Sequence, residues 1–424
     1  MADRGVGDTT MDTMTPASPA TEPERLISGP FLSVMATAGV FFVYIGMMVT
    51  TIPSFIEREL DGGEFGVGLA MASFAAAAIF ARPFLGRLTE RHGRRKLIMS
   101  GAALAAVATV LTAFATELWH VLVLRSFMGL GEAALFVASA TLIADLSPPH
   151  RRAEAASYFS VAVFGGIGIG PIIAESMTGN DQYGRVFVIA GLFAALSVVV
   201  TLGVPARVDR SSAPAAEGRQ LLFHRAAFWP GVVLASGIAA FAVFMAFIPE
   251  YSKTVGLSGA GGLFLVYSAV SITLRLTAAK LPERLGEHRT VTIAFVGLMS
   301  ALVLVAAVPE AWALWAGAAI IGFGMAFMYP SLMANVVNRV RDDERAIALS
   351  SLTMFFEVGT IVGGVALGGI GEIFSKRAGF LGGAVIAAFG LVVLWQFLVA
   401  ADVQPDGDSA GAAGPAVGPA IAGS

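Results

Sequence analysis

The chain has 424 residues, of which 56% are hydrophobic and only 13% charged, and its mean hydropathy is +0.77. A soluble globular protein carries about 25% charged residues, so a string of water-exposed domains is excluded, and a net charge of −3 supplies no basic excess for nucleic acid. Cysteine is absent, which removes any disulfide framework.

Residues 1–29 are polar and rich in Thr, Pro and Asp, without the basic start and apolar core of a cleavable signal. They are expected to be a disordered cytoplasmic tail. Apolar runs then follow at 31–56, 65–88, 97–116, 118–145, 155–174 and 186–206. Six more lie at 226–249, 254–283, 290–309, 311–338, 346–371 and 378–401. Each approaches or exceeds the roughly 20 residues that carry a helix across ~30 Å of hydrocarbon. A membrane barrel would instead show strands of about ten residues with alternating polarity. The pattern therefore predicts an all-α membrane protein of twelve transmembrane helices. The stretch 205–228 reads as a linker between six-helix bundles at 30–204 and 229–401. Residues 402–424, rich in Gly, Ala and Pro, read as a disordered tail.

Lys and Arg fall unevenly between the loops. With the N-terminus inside, inner segments hold nineteen; the outer loops hold Arg58, Arg185, Lys253, Lys376 and Arg377, and helices hold Arg82, Arg125 and Arg275. This bias predicts that both termini are cytoplasmic.

The two bundles repeat each other at an offset of 193 residues. "RPFLGRLTERHGRRK" from Arg82 has a weaker copy in "RLTAAKLPERLGEHR" from Arg275, matching Arg82, Leu88, Glu90, Arg91 and Gly93 to Arg275, Leu281, Glu283, Arg284 and Gly286. The same offset pairs Gly129 and Gly131 with Gly322 and Gly324, and Gly166 and Gly170 with Gly359 and Gly363. "IPSF" (52–55) ends the first helix much as "IPEY" (248–251) ends the seventh. Internal repeats of this kind build alternating-access carriers.

Three ionisable side chains sit at membrane depth. Arg125 and Glu132 are seven residues apart, within about 20° on one helix face, and Glu132 lies about 20 Å down its helix. Glu357 is similarly deep in the eleventh helix. Such groups generally line an interior cavity and mark ion or substrate routes. One reading makes Glu132 or Glu357 the proton carrier, the other acid being available for a cationic substrate. The other reading is a static Glu132–Arg125 pair. Phe41 and Tyr44 in the first helix and Phe241 and Phe244 in the seventh are candidate cavity walls. Trp119, Trp229 and Trp312 fit an interfacial belt, and Arg82 and Arg275 are expected to snorkel toward the inner surface.

Some matches fail. "GLGEAA" (129–134) satisfies a dinucleotide-binding string but lies inside a membrane helix, and no GxxxxGK[ST] loop occurs. The five histidines are scattered, so no metal cluster is expected.

Over about residues 30 to 401 the chain resembles the major facilitator superfamily, most nearly its twelve-helix drug/proton antiporters. "GRLTERHGRRK" (86–96) resembles the signature between helices 2 and 3, with Glu90 for the more usual Asp. "RSFMGLGEA" (125–133) resembles the helix 4 signature, and "ADLSPPHRRAEA" (144–155) the loop after it. "GGIGIGPIIAE" (165–175) resembles the helix 5 antiporter signature, although Ala174-Glu175 stand where two glycines usually close it. The resemblance implies that Gly86, Glu90, Arg91, Gly93, Arg94 and Asp145 form an inner-gate latch, and that Arg125 takes part in proton transfer. It also implies that Gly166, Gly170 and Pro171 mark an antiporter seam. The expectation is a plasma-membrane, monomeric carrier driven by a proton gradient without a cofactor, exporting a small amphipathic or drug-like molecule. A proton-coupled importer is the alternative, and a non-transporting scaffold or sensor the reading from another class.

Overall fold

The computed structural model describes residues 27–148, 151–177, 182–204, 223–278, 281–341 and 344–399. Residues 1–26, 205–222 and 400–424, which hold most of the expected tails and linker, therefore lie outside the described residues. So do the side chains of residues 83, 86, 87, 89–91, 152, 153, 282, 283, 345 and 346.

The first bundle consists of α1 (Gly29–Arg58), α2 (Gly63–His92), α3 (Arg94–Thr112), α4 (Leu118–Asp145), α5 (Arg152–Met177) and α6 (Tyr183–Val200). In the second, α7 is Phe228–Thr254, α8 is Gly261–Thr277 with a separate turn at Leu281–Leu285, α9 is Glu287–Ala307 and α10 is Ala311–Asn338. The next helix, α11, runs through Arg345–Val362, a π turn at Gly363–Leu367 and Gly368–Ile373; α12 is Lys376–Val393, continued by a π turn at Leu394–Val399. Eleven of these are long and apolar enough to cross a membrane, and α8 is a shorter apolar helix. α1 and α7 do not stop at their prolines: Pro53 and Pro249 lie inside helices that continue to Arg58 and Thr254. Large apolar side chains such as Phe80, Phe84, Phe114 and Val385 point outward, as a lipid-facing surface requires. Trp119 and Trp312 are exposed near helix starts, while Trp229 stacks on Phe397.

Small residues set the helix spacing. Lipid offers no hydrophobic drive between helices, so close backbone approach has to supply the packing energy. Gly129 lies against the Phe74 carbonyl and Gly131 against Gly101; 193 residues later, Gly322 lies against the Tyr267 carbonyl and Gly324 against Ala294. Gly166 and Gly170 meet Phe42 and Gly46 on α1, and Gly359 and Gly363 meet Ala235 and Ala239 on α7. Each partner is displaced by the same 193 residues, so the repeat extends to the contacts.

Between the halves, α5 packs on α8 and α2 on α11. Adjacent glycines at the π turn of α11 serve two neighbours: Gly363 faces Ala239 of α7, and Gly364 lies against Gly68 of α2. Gly129→Val and Gly322→Val place new methyl groups on carbonyls, so each should cost ~1–3 kcal/mol or more and lower the melting temperature. Gly165→Ala meets nothing within 4 Å and should melt with the parent protein. Unchanged melting of both valine proteins would contradict the close approach.

Candidate functional site

Three arginines (Arg82, Arg125 and Arg275) and two carboxylates (Glu132 and Glu357) lie within the helices of the two bundles. Arg82 of α2 donates from Nη2 to Oε1 of Glu357 on α11 at 2.5 Å, an ion pair that joins the halves. The side chains are 15% and 8% exposed. Arg82 thus turns inward to the other half instead of snorkelling to the surface. Glu357, twelve residues from Arg345 at the start of its own helix, takes its cation from α2. Gly359 and Gly363 pack against α7 on the other side of α11, so the carboxylate and the seam use different faces.

Glu132 is different. Among the described residues it makes no ion pair and no side-chain hydrogen bond, and the charges that act on it are those of Glu357 and Arg82. It does not pair with Arg125. Seven residues place the two on one face but ~10.5 Å apart along the axis. Arg125 is used closer to home: it donates to the Ala70 carbonyl at 3.4 Å and lies 4.5 Å from the centroid of the Phe74 ring. The static Arg125–Glu132 pair is therefore not formed.

The aromatic candidates serve the core. Phe41 and Tyr44 pack edge to face at 5.1 Å and neither keeps any exposure; Phe244 is equally buried against Phe264. Phe241 retains 8% exposure and lies 5.2 Å from Tyr267. The α5 seam divides its contacts, Gly166 and Gly170 against α1 and Gly168 against Ser268 of α8. Pro171 is buried inside α5.

At the end of the bundle where α1 begins, Gly93 (φ 83°) links α2 to α3, and Gly286 (φ 85°) makes the equivalent link before α9. A positive φ suits glycine at both. Arg94 forms an ion pair with Asp145 at the end of α4. Gly86, Glu90 and Arg91 of the same motif lie outside the described side chains.

The opposite end carries a feature that motif reading missed. Glu175, where the seam's final glycine is expected, accepts from the N–H groups of Ala260 (2.6 Å) and Gly261 (2.7 Å) at the start of α8. Glu372, at the end of α11, accepts from Glu64 N–H at 2.7 Å at the start of α2. Both caps cross between the halves, with an anion at a helix N-terminus. Lys376 bridges Glu57 and Glu64 at 2.7 and 2.9 Å. Glu250 takes Ser54 at 2.5 Å, Arg58 at 2.9 Å and Lys253 at 2.6 Å. The departure at Glu175 was the one sequence signal that pointed here.

Removing one partner of a buried pair strands a charge, at a cost of ~3–5 kcal/mol. Arg82→Met and Glu357→Met should each lower the melting temperature of the purified protein, and the double substitution should recover much of the loss. Additive losses would mean that the two side chains do not depend on one another.

A family profile of the Major Facilitator Superfamily matches residues 34–309 and 259–423. An uncharacterized MFS-type transporter of Pseudomonas aeruginosa is 27% identical over 89% of this chain and 96% of its own. One from Salmonella typhimurium is 24% identical over 85% and 95%. The crystal structure of the nucleoside transporter NupG superposes with a TM-score of 0.69 at 17% identity, covering 88% of this chain and 99% of that one, which is a likeness of fold. Two six-helix repeats with matching contacts, together with the family profile over nearly the whole chain, make this multi-pass membrane protein a member of the Major Facilitator Superfamily.

Proposed function

We propose that the chain is a proton-coupled exporter of a small amphipathic molecule, working by alternating access. The observation that carries this reading is Glu132, a carboxylate deep in the bundle with no counter-ion of its own, beside an ion pair that ties the halves. An ionised acid at membrane depth is costly, and a bound proton removes the charge. With Glu132 protonated, Arg82 belongs to Glu357 and α2 stays tied to α11. With Glu132 ionised, two carboxylates compete for one guanidinium and the tie loosens. The proton thereby biases a two-state arrangement, which is what coupling requires.

With the termini cytoplasmic, as the Lys and Arg distribution predicts, the caps at Glu175 and Glu372 form an external gate, here shut. Export as the direction rests on the resemblance of the Gly166, Gly170 and Pro171 stretch to the antiporter signature. Both acids lie well within their helices, Glu357 buried and Glu132 partly so, where a scaffold would not need them.

The test is reconstitution into liposomes with an imposed pH gradient, following proton movement as amphipathic compounds are added. Proton movement opposite to the compound supports export by exchange, and movement in the same direction overturns it in favour of import. Glu132→Gln should lose gradient-driven flux by at least tenfold while retaining compound exchange at equal pH. Full gradient-driven flux in this variant would remove Glu132 from the coupling.

A further inference from the structure

The repeat assigns a counterpart to each member of the Arg82–Glu357 pair, and the counterparts are unlike. At an offset of 193, Arg82 corresponds to Arg275 and Glu357 to Phe164. The geometry follows the correspondence. Arg82 reaches from α2 to Glu357 on α11, and Arg275 reaches from α8 across to α5, its guanidinium carbon 4.6 Å from the centroid of the Phe164 ring. Glu357 and Phe164 each stand twelve residues into their helices, ~18 Å from the start. The two halves thus make the same crossing, once with a carboxylate at its end and once with a benzene ring.

Arg275 is left poorly satisfied by this exchange. A guanidinium has five N–H donors. One Arg275 nitrogen reaches the Met325 carbonyl at 3.2 Å, and its buried Nε has no acceptor among the described residues. Nor does any described carboxylate lie within ion-pair distance of it. A ring face attracts a cation but accepts no pair of parallel hydrogen bonds. Arg275 is also linked to the charged cluster already described. Tyr329 of α10 is within the electrostatic reach of both Arg82 and Arg275. Arg275, Phe164, Tyr329 and Glu132 all keep partial exposure although they lie within helices. Glu357 is not spare for a cationic substrate, since Arg82 holds it. The spare group of the second half is a cation.

We infer that Arg275 docks an anionic group of the transported molecule: a carboxylate or a similar planar acid on an apolar body takes the position that Glu357 fills in the other half. Phe164 supports the guanidinium from behind and offers its remaining surface to the apolar body, and Tyr329 lies within electrostatic reach of both Arg275 and Arg82. This assignment rests on the transport reading of the site and adds the substrate's charge to it.

Three probes share one ring system and differ in charge: 2-naphthoate, 2-naphthamide and 2-naphthylmethylammonium. Equilibrium binding to the purified full-length protein in nanodiscs, by calorimetry, should rank naphthoate at least tenfold tighter than the other two. Arg275→Gln should weaken naphthoate by about tenfold to a hundredfold, the range expected for losing a hydrogen-bonded charge, and leave naphthamide unchanged. Arg275→Lys should fall between. Phe164→Glu supplies the missing carboxylate from within the chain, so it should abolish the preference for naphthoate while the melting temperature holds or rises. That variant keeps the test open if Arg275→Gln fails to fold.

Tighter binding of the ammonium, absence of naphthoate binding, or naphthoate affinity unchanged in both Arg275→Gln and Phe164→Glu would overturn the inference. Binding needs no gradient, so the two readings fail separately. A protein that binds naphthoate as described yet moves no protons sinks the coupling alone. One that drives the ammonium across membranes and ignores naphthoate sinks the anion site alone.

Discussion

A charge in the interior of a membrane protein is tolerable only with a counter-charge, a set of dipoles or a proton, and the first two are both present here. Arg82 and Glu357 pair across the halves. Glu175 and Glu372 sit on the exposed N–H groups that begin α8 and α2. Glu132 has neither of these remedies among the described residues, which is why the proposed coupling places a proton there. Because the partners of Glu357, Glu175 and Glu372 all belong to the opposite half, satisfying these three charges is the same event as holding the halves together. Packing within each half is left to glycines and methyl groups, which carry no such conditions.

Much of the scaffold was legible in the sequence because hydropathy and small-residue spacing are local properties. Twelve apolar runs correspond to twelve helices, and the glycine pairs that suggested a repeat are the positions where backbones touch. Even the π turn in α11 falls on the Gly363–Gly364 pair, where two neighbours compete for the same stretch of helix. Helix ends were less legible. Pro53 and Pro249 read as stops, yet a proline's lost hydrogen bond is tolerated within a tightly packed bundle, and both helices continue.

The charged contacts were mostly hidden, since they link residues far apart along the chain. Glu357 finds its cation 275 positions earlier. Sharing a helix face made Arg125 and Glu132 look like partners, but the separation along the axis is longer than the side chains close, and the Ala70 carbonyl is nearer to Arg125. Phe41, Tyr44 and Phe244 show the same limit for apolar residues: periodicity says that they face inward, not whether the inside is packed or hollow. Ala174-Glu175, by contrast, was visible as a departure from a pattern, and its purpose emerged only once α8 was seen to start beneath it.

The contact of Gly68 with Gly364 has a mechanical consequence. No side chain cushions α2 from α11 there, and the contact continues to the Glu64 carbonyl at Gly368, so a tilt of α2 would pivot about this end. Glu64, under the Glu372 carboxylate, lies one turn away on the short arm, ~6 Å from it, whereas Arg82 lies fourteen residues away on the long arm, ~21 Å. A tilt of about 10° would shift the short end by ~1 Å and the long end by ~4 Å. The cap would stretch and hold while the ion pair parted. Such a lever reports small motions of the rim as the making or breaking of a charge contact at the centre.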